Sequence, residues 1–450
     1  MKVYFVSLGC DKNLVDSEYM LGLIRQNGFL LTDNEKEAEI IVVNTCCFIH
    51  DACEESINTL LELSLLKKNG KLKVLICTGC LAQRYKDEIK KSIPEIDAVV
   101  GTTAAGDIVD TIKSCLTGDK KDAYRDINYL CVPDVNRVNT TGGYTGYLKI
   151  AEGCSKHCTY CVIPSLKGEY RSVPMEKLLK EAKFMAEGGL KELIIVAQET
   201  TVYGIDIYGH KALPELLEKL SSIDGIEWIR LLYCYPEEIT ADLINCMKNN
   251  KKICHYIDMP IQHSQDNILS RMGRHTNRKE LDGLIKELRK EIPDIVLRTS
   301  LIVGFPGETE EDFDGLMGFV SNTRFDRLGV FTYSREDGTP AAKMKDQVPK
   351  KLKLSRQKKI MELQQKIVFE RNYAMAKEGL AEKVIIEGSL PDETDDDEPE
   401  IKVYIARTYR DAPSIDGYIF IRTARELESG DMPTVRITGA KGYDLTGELL

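Results

Sequence analysis

Three times in the first eighty residues an apolar run of strand length breaks off, and a cysteine follows two or three residues later. The runs are residues 3–8, 40–43 and 74–77, and the cysteines are Cys10, Cys46 and Cys80. Helical periodicity follows near residues 15–26, 54–68 and 84–91, with Gly28 as a stop signal, and a fourth strand and helix fall at 98–100 and 107–116. Strands and helices alternating at this spacing restrict the segment to a doubly wound parallel sheet. Ligands of such sheets gather at the carboxyl ends of the strands, so these sequence-distant thiols converge on one edge. Two neighbours compete with them. Cys77 makes a C-x2-C with Cys80, but strand alternation turns it away into the core; Cys47 adjoins Cys46, and its role stays open.

A second trio is local. Cys154, Cys158 and Cys161 stand in a C-x3-C-x2-C spacing within residues 153–163. A cubane iron-sulfur cluster needs four ligands, so three thiolates leave one iron free for something other than protein. A zinc site would want a fourth ligand, and His157, lying between the cysteines, is poorly placed to close a tetrahedron. Disulfides are rare in a reducing cytosol and cannot use three cysteines. The chain has fourteen cysteines, and its first apolar stretch is too short for a signal peptide and runs at once into Asp11-Lys12. Metal or redox chemistry is therefore expected rather than a disulfide framework. No apolar run approaches the ~18 residues of a membrane span, and the expectation is a soluble, cytoplasmic protein without a membrane partner.

The 450 residues predict more than one domain. Residues 1–120 form the first, 121–143 a polar linker, 144–350 a second α/β domain, 351–377 a charged linker helix, and 378–450 a β-rich end. In the second domain, strands at 146–150, 193–197, 228–232, 256–259, 296–303 and 327–332 alternate with amphipathic helices, the count of an incomplete (β/α) barrel. Barrel sites form at the carboxyl strand ends. There the sequence places Gln198-Glu199, Arg230, Tyr233-Cys234-Tyr235-Pro236, Gln262-His263 and Gly304-Phe305-Pro306-Gly307-Glu308. The last also reads as an ordinary turn before a helix cap at Thr309-x-x-Asp312, and no histidine is assigned a catalytic role. The final segment predicts a small antiparallel β-barrel. It carries eight Lys and Arg against seventeen Asp and Glu from position 378 onward, nearly all of the chain's net charge of −10.

The C-x3-C-x2-C loop resembles the signature of the radical S-adenosylmethionine (SAM) enzymes. The segments Ser7-Leu8-Gly9-Cys10-Asp11-Lys12-Asn13-Leu14-Val15-Asp16-Ser17-Glu18, Val43-Asn44-Thr45-Cys46-Cys47-Phe48-Ile49 and Thr78-Gly79-Cys80-Leu81-Ala82-Gln83-Arg84 are similar to the cysteine motifs of the methylthiotransferase family. That resemblance implies an N-terminal methylthiotransferase domain, a radical SAM barrel and a TRAM domain. It implies two 4Fe-4S clusters, one held by Cys10, Cys46 and Cys80 and one by Cys154, Cys158 and Cys161. It also implies SAM contacts at Gln198, Glu199, Arg230 and Gly304. One SAM would methylate sulfur at the N-terminal cluster, and a second would be cleaved to a 5'-deoxyadenosyl radical at the other.

Within the family, residues 10–18, 325–340 and 411–417 look like the RimO-type branch, which modifies the β-carbon of an aspartate in protein twelve of the small ribosomal subunit. Asp11 stands where that branch usually has Pro, a change that a backbone turn tolerates. The alternative is the MiaB-type branch, which modifies isopentenyladenosine in tRNA. An acidic C-terminal end is a poor holder of phosphate backbones, which makes tRNA the less favoured partner. Asp411, Asp416, Glu426 and Glu428 are expected to face a basic protein from the folded C-terminal surface, with residues 391–400 a solvated loop. A low-potential electron donor and a sulfur donor are required partners that the sequence does not identify.

Overall fold

The computed structural model describes residues 1–390 and 401–450. The acidic stretch 391–400, expected as a solvated loop, lies outside the described residues.

The first layer is a five-stranded parallel sheet in the order β2-β1-β3-β4-β5, from β1 (Lys2–Ser7), β2 (Leu30–Leu31), β3 (Ile40–Thr45), β4 (Val74–Gly79) and β5 (Ala98–Val100). Every residue of β3 and β4 is buried, because helices cover both faces of the sheet. One face packs Ile41, Val43, Leu75 and Val99 under helix His50–Ser64, and the other packs Ile40, Val42, Ile76 and Ala98 under helices Asp11–Gln26 and Ile108–Leu116. The first helix begins at Asp11, four residues earlier than its apolar periodicity indicates. Its opening turn is polar yet buried at Lys12 and Asn13, because it faces the second domain.

The second sheet has six parallel strands, β6 (Thr145–Lys149), β9 (Glu192–Val196), β10 (Trp228–Leu231), β11 (Ile253–Asp258), β12 (Val296–Val303) and β13 (Arg327–Thr332), joined in chain order. The short pair β7 (Ala151–Glu152) and β8 (Arg171–Ser172) brackets the second cysteine loop. Strands β6 and β13 are the open edges, so the barrel is incomplete as expected. Outward residues such as Leu193, Ile195, Ile229 and Leu231 pack on the helices, while Ile194, Val196, Trp228 and Tyr256 face inward.

The C-terminal segment closes on itself through β14 (Ala381–Ser389), β15 (Lys402–Thr408), β16 (Ile419–Thr423), β17 (Thr434–Lys441) and β18 (Asp444–Leu449), after a helix spanning Lys350–Glu378. It does not stand apart. Its 408–416 loop enters the concave side of the second sheet, where Ile385 and Ala412 join the inward cluster. Arg407 and Arg230 share the fully buried Glu192 carboxylate at 2.6 and 2.8 Å. Asp411 pairs with Arg327, and Asp416 accepts from the Tyr256 hydroxyl at 2.7 Å and lies 3.8 Å from Arg298. The expectation that Asp411 and Asp416 present charge to a partner is thereby corrected. Both side chains are 4% exposed and neutralised by arginines of the central domain, leaving Glu426 and Glu428 exposed.

Burial opposes the charge on Glu192, but Arg407 and Arg230 outweigh it and hold the carboxyl down at about 2. A carboxyl depressed in the folded state stabilises above its unfolded value near 4.5 and loses that contribution as pH falls toward 2. Glu192→Gln leaves two buried guanidinium groups without a counter-charge, and we expect it to cost about 3–5 kcal/mol in urea unfolding of the apoprotein at pH 7. The gap from the unsubstituted protein should narrow between pH 4.5 and 2. A gap independent of pH would show that the ionised carboxylate is not what binds the C-terminal domain.

Candidate functional site

Each N-terminal cysteine stands where a strand of the first sheet gives way to a helix. Cys10 caps the helix Asp11–Gln26, Cys80 is the first residue of the helix Cys80–Tyr85, and Cys46 follows β3 directly. Gly9 has φ +91°, and a Cβ there would lie 2.7 Å from the Cβ of Cys46 and 3.0 Å from its Sγ, so only glycine lets the two turns meet. Asn13 ties the three turns together. Its amide donates to the Leu8 carbonyl at 3.1 Å and the Thr45 carbonyl at 3.0 Å, and its Oδ1 lies 3.9 Å from the Cys80 Sγ. Cys47 is fully buried in the apolar layer beneath helix His50–Ser64, and burial pushes its thiol up to about 12. Cys77 is likewise sealed in the core.

The second trio lies in the loop between β7 and β8. Cys154 and Cys158 are buried and Cys161 is half-buried. Burial pushes Cys154 up to about 11 and Cys161 up to about 12, with each thiol also feeling Cys158. The Ile163 N–H donates to the Cys161 Sγ at 3.4 Å, and the Tyr235 hydroxyl lies 3.9 Å from the Cys158 Sγ. Among the described residues no three His, Cys, Asp or Glu side chains are gathered tightly enough to hold a single ion. Each trio offers an all-sulfur donor set, the chemistry that suits an iron-sulfur cube.

The two sets face each other across a buried polar seam. Lys149 bonds Asp16 of the first domain and Glu152 at 2.6 Å, while Lys167 bonds Asp16 at 3.0 Å and lies 3.6 Å from Glu152. Although burial opposes the charge on Glu152, Lys149 and Lys167 hold it well below the usual carboxylate range. Gln198 donates to the same Glu152 at 3.0 Å. Lys167 also acts on the Cys80 thiol, whose pKa burial raises and the ammonium lowers. Val162 and Leu166, which follow the second trio, pack in the same apolar cluster as Cys80.

Next to this seam two oxygens have no hydrogen-bond partner among the described residues, Gln198 Oε1 and Glu199 Oε2. Glu199 is 1% exposed, and its other oxygen accepts from the Thr201 N–H at 2.8 Å. Burial pushes its carboxyl up to about 7. An enclosed carboxylate with one vacant oxygen fits an ammonium group, which restores the charge balance that burial removes.

The two other residues expected at the SAM contact are both engaged within the chain. Arg230 is sealed between Glu192 and the Tyr409 carbonyl, 2.7 Å away, and serves the joint with the C-terminal domain. At Gly304 the N–H already donates to Glu308 at 2.6 Å, and a Cβ would lie 2.3 Å from Lys353, so this turn is a packing junction. It ends in the capping box of Thr309 and Asp312, as the ordinary reading of that stretch holds. His263 is fully buried, pushed down to about 3 by burial, and bonds the Gln265 N–H as a structural histidine. Sequence reasoning gave no role to Asn13, Glu152 or Lys167, and placed Tyr235 at a strand end without assigning it a partner. Asn13 alone had a local signal, three residues past Cys10; the others become neighbours only when the domains dock.

Residues 2–101 match the family described as uncharacterized protein family UPF0004, residues 148–320 the radical SAM superfamily, and residues 379–450 the TRAM domain. The chain is 62% identical over 447 residues to the ribosomal protein uS12 methylthiotransferase RimO of Lachnoclostridium phytofermentans, covering 99% of each. It is 46% identical over 446 residues to the protein of the same name from a Thermoanaerobacter species, again covering 99% of each. Its fold is similar to that of the radical SAM methyltransferase TsrM from Kitasatospora setae, solved with cobalamin and a 4Fe-4S cluster. The TM-score is 0.56 at 14% identity, covering 76% of both chains.

Asn13→Ala strips two buried carbonyls of their donor, and the expected cost is roughly 2–4 kcal/mol. Reconstituted iron should fall from about eight to about four per chain if each trio holds one four-iron cluster. Full iron retention would deny Asn13 its role in gathering the turns. Glu199 gives a pH signature. With its folded pKa raised from 4.5 to about 7, the apoprotein loses stability as pH climbs through that window, by roughly 3 kcal/mol in all, and the loss is complete above it. Glu199→Gln should flatten that part of the pH-stability curve; an unchanged slope would show that Glu199 is not the titrating group.

Proposed function

The chain belongs to the RimO family of methylthiotransferases, and from that membership we propose that it places a methylthio group on the β-carbon of an aspartate in ribosomal protein uS12, protein twelve of the small subunit. The observation that carries the reading is the pair of cysteine trios on two facing domains, with Lys167 beside Cys80 and Tyr235 beside Cys158. When bound, two 4Fe-4S clusters and SAM supply the electron, radical, methyl and sulfur chemistry that an unactivated carbon–hydrogen bond demands.

The chain's own residues position those groups and keep water out. Cys10, Cys46 and Cys80 would hold the N-terminal cluster, and Cys154, Cys158 and Cys161 would hold the other, three thiols serving a four-iron cube. Gln198 and Glu199 receive the ammonium of SAM's methionine portion on their vacant oxygens. The thiols whose pKa burial raises, among them Cys80, Cys154 and Cys161, carry their protons until metal binds, so loading releases protons and is favoured by higher pH. Asp16, Lys149, Glu152 and Lys167 balance each other's charge, so the space between the trios is polar without a net charge to repel an anionic substrate side chain. Relatives named for uS12 at 62% and 46% identity do not favour the tRNA-directed alternative. No helix among the described residues is long and apolar enough to cross a membrane.

The test is anaerobic incubation of the reconstituted protein with SAM, a low-potential reductant, a sulfide source, and either uS12 or tRNA, followed by mass spectrometry. We expect one methylthio group on an aspartate of uS12 and none on tRNA. A Cys10/Cys46/Cys80 triple Ala variant should still yield 5'-deoxyadenosine but no methylthiolated protein. Product from that variant, or modification of tRNA in place of uS12, overturns the reading.

A further inference from the structure

At the carboxyl end of β10 the backbone enters an unusual conformation. Tyr233 has φ +61°, a left-handed geometry that is unfavourable for a bulky side chain and persists only where the surroundings over-determine it. Here they do. The Tyr233 N–H donates to Asp258 Oδ2 at 3.1 Å, and its carbonyl accepts from both the Thr200 N–H and the Thr200 hydroxyl at 3.1 Å. The next N–H, of Cys234, donates to the Asp258 carbonyl at 2.8 Å, and the Cys234 side chain is fully buried 3.4 Å from the Thr200 hydroxyl. Asp258 is itself fixed by Arg298 at 2.5 Å.

This clamped turn presents one tyrosine to each cysteine set. The Tyr233 hydroxyl donates to Asp11 Oδ1 at 3.1 Å, and the Lys12 ammonium sits 3.2 Å from the centre of its ring. Asp11 and Lys12 directly follow Cys10. Two residues on, the Tyr235 hydroxyl lies 3.9 Å from the Cys158 Sγ, and its ring is covered by Arg274 at 4.2 Å and Lys156 at 5.4 Å. Three consecutive residues thus span from the first cysteine of one domain to the middle cysteine of the other.

We propose that Tyr233-Cys234-Tyr235 is the spacer that sets the separation of the two clusters, with Tyr233 and Tyr235 as positioning residues. The proposal rests on the two-cluster reading above and adds the element that fixes their register. Transfer between two bound groups demands near-ångström placement, since a 1 Å misplacement can cost about a hundredfold in rate. A turn whose Tyr233 N–H and carbonyl and Cys234 N–H are all engaged suits that task because leaving this geometry would break those bonds.

Pulsed electron paramagnetic resonance on the reconstituted, reduced holoprotein reads the distance between the two clusters without reference to turnover. The unsubstituted protein should give one narrow distribution. Tyr233→Ala should at least double its width and lower methylthiolated product per 5'-deoxyadenosine about tenfold, while Tyr233→Phe, which keeps the ring beneath Lys12, should fall between them. Should Tyr233→Ala fail to fold, Lys12→Met removes the cation from the ring without touching the barrel strand and should broaden the same distribution. Tyr235→Phe should lower the reduction potential of the barrel cluster alone, because hydrogen bonds to cluster sulfurs raise it. Distributions as narrow as the original in the Tyr233 and Lys12 variants, or an unmoved potential in Tyr235→Phe, overturn the spacer role. Absence of any intercluster coupling in the unsubstituted protein overturns the two-cluster reading beneath it.

Discussion

The docking of the first domain on the second centres on one buried set of charges, Asp16 and Glu152 shared between Lys149 and Lys167. Taking four charges out of water costs several kcal/mol per ion, and their mutual attraction offsets this only with close, complete pairing. Such a set is therefore weak evidence for stability and better evidence for orientation, since a slip in docking would leave an ion unpaired in the interior. Apolar contact between Leu166 and the first domain supplies adhesion without direction, whereas the carboxylate of Asp16 meets both lysines at once and so ties the docking to a defined pairing. Docking with that pairing brings the edge that carries Cys10, Cys46 and Cys80 to the mouth of the barrel.

The same logic operates at the other end of the barrel. Glu192 between Arg230 and Arg407, and Asp411 against Arg327, do for the C-terminal domain what Asp16 does for the N-terminal one. Between the two seams the inward face of the sheet carries a continuous polar chain from Asp416 through Arg298 and Asp258 to Tyr233 and Asp11. An incomplete barrel has an open interior to fill. Here the filling is ionic as well as apolar: the charged chain runs beside the inward cluster of Ile194, Val196, Trp228 and Tyr256 that Ile385 and Ala412 join.

Much of this was legible in the sequence because period and spacing are local. Strand-helix alternation and the C-x3-C-x2-C loop follow from residues close together in the chain, the first cysteine trio was legible through the strand ends that carry it, and β12 and β13 fall where their apolar patterns place them. Legibility failed where a role is decided by docking. Arg230 lies on a strand that leads to the site, but its side chain runs back to Glu192 at the start of β9, and no pattern in the sequence records that direction. Cys46 and Cys47 are neighbours that the sequence does not distinguish, whereas in the fold Gly9 lies against the Cys46 thiol and Cys47 is buried in the apolar layer.

The charge of the C-terminal domain shows the same limit from another side. Net charge is a property of composition, but recognition depends on charge left unpaired at the surface. Among the described residues, Glu382 is paired with Arg410, Glu387 with Arg407, Asp411 with Arg327 and Asp416 with Arg298, all within the domain or at its joint with the barrel. The motif at 411–417 thus acts as a plug for the barrel, and its acidic residues answer arginines of the same chain. Of the four acidic residues expected at this surface, Asp411, Asp416, Glu426 and Glu428, only the last two are exposed, Glu426 lying 3.8 Å from Lys402, so the charge of the motif that distinguishes this sequence is neutralised inside the chain.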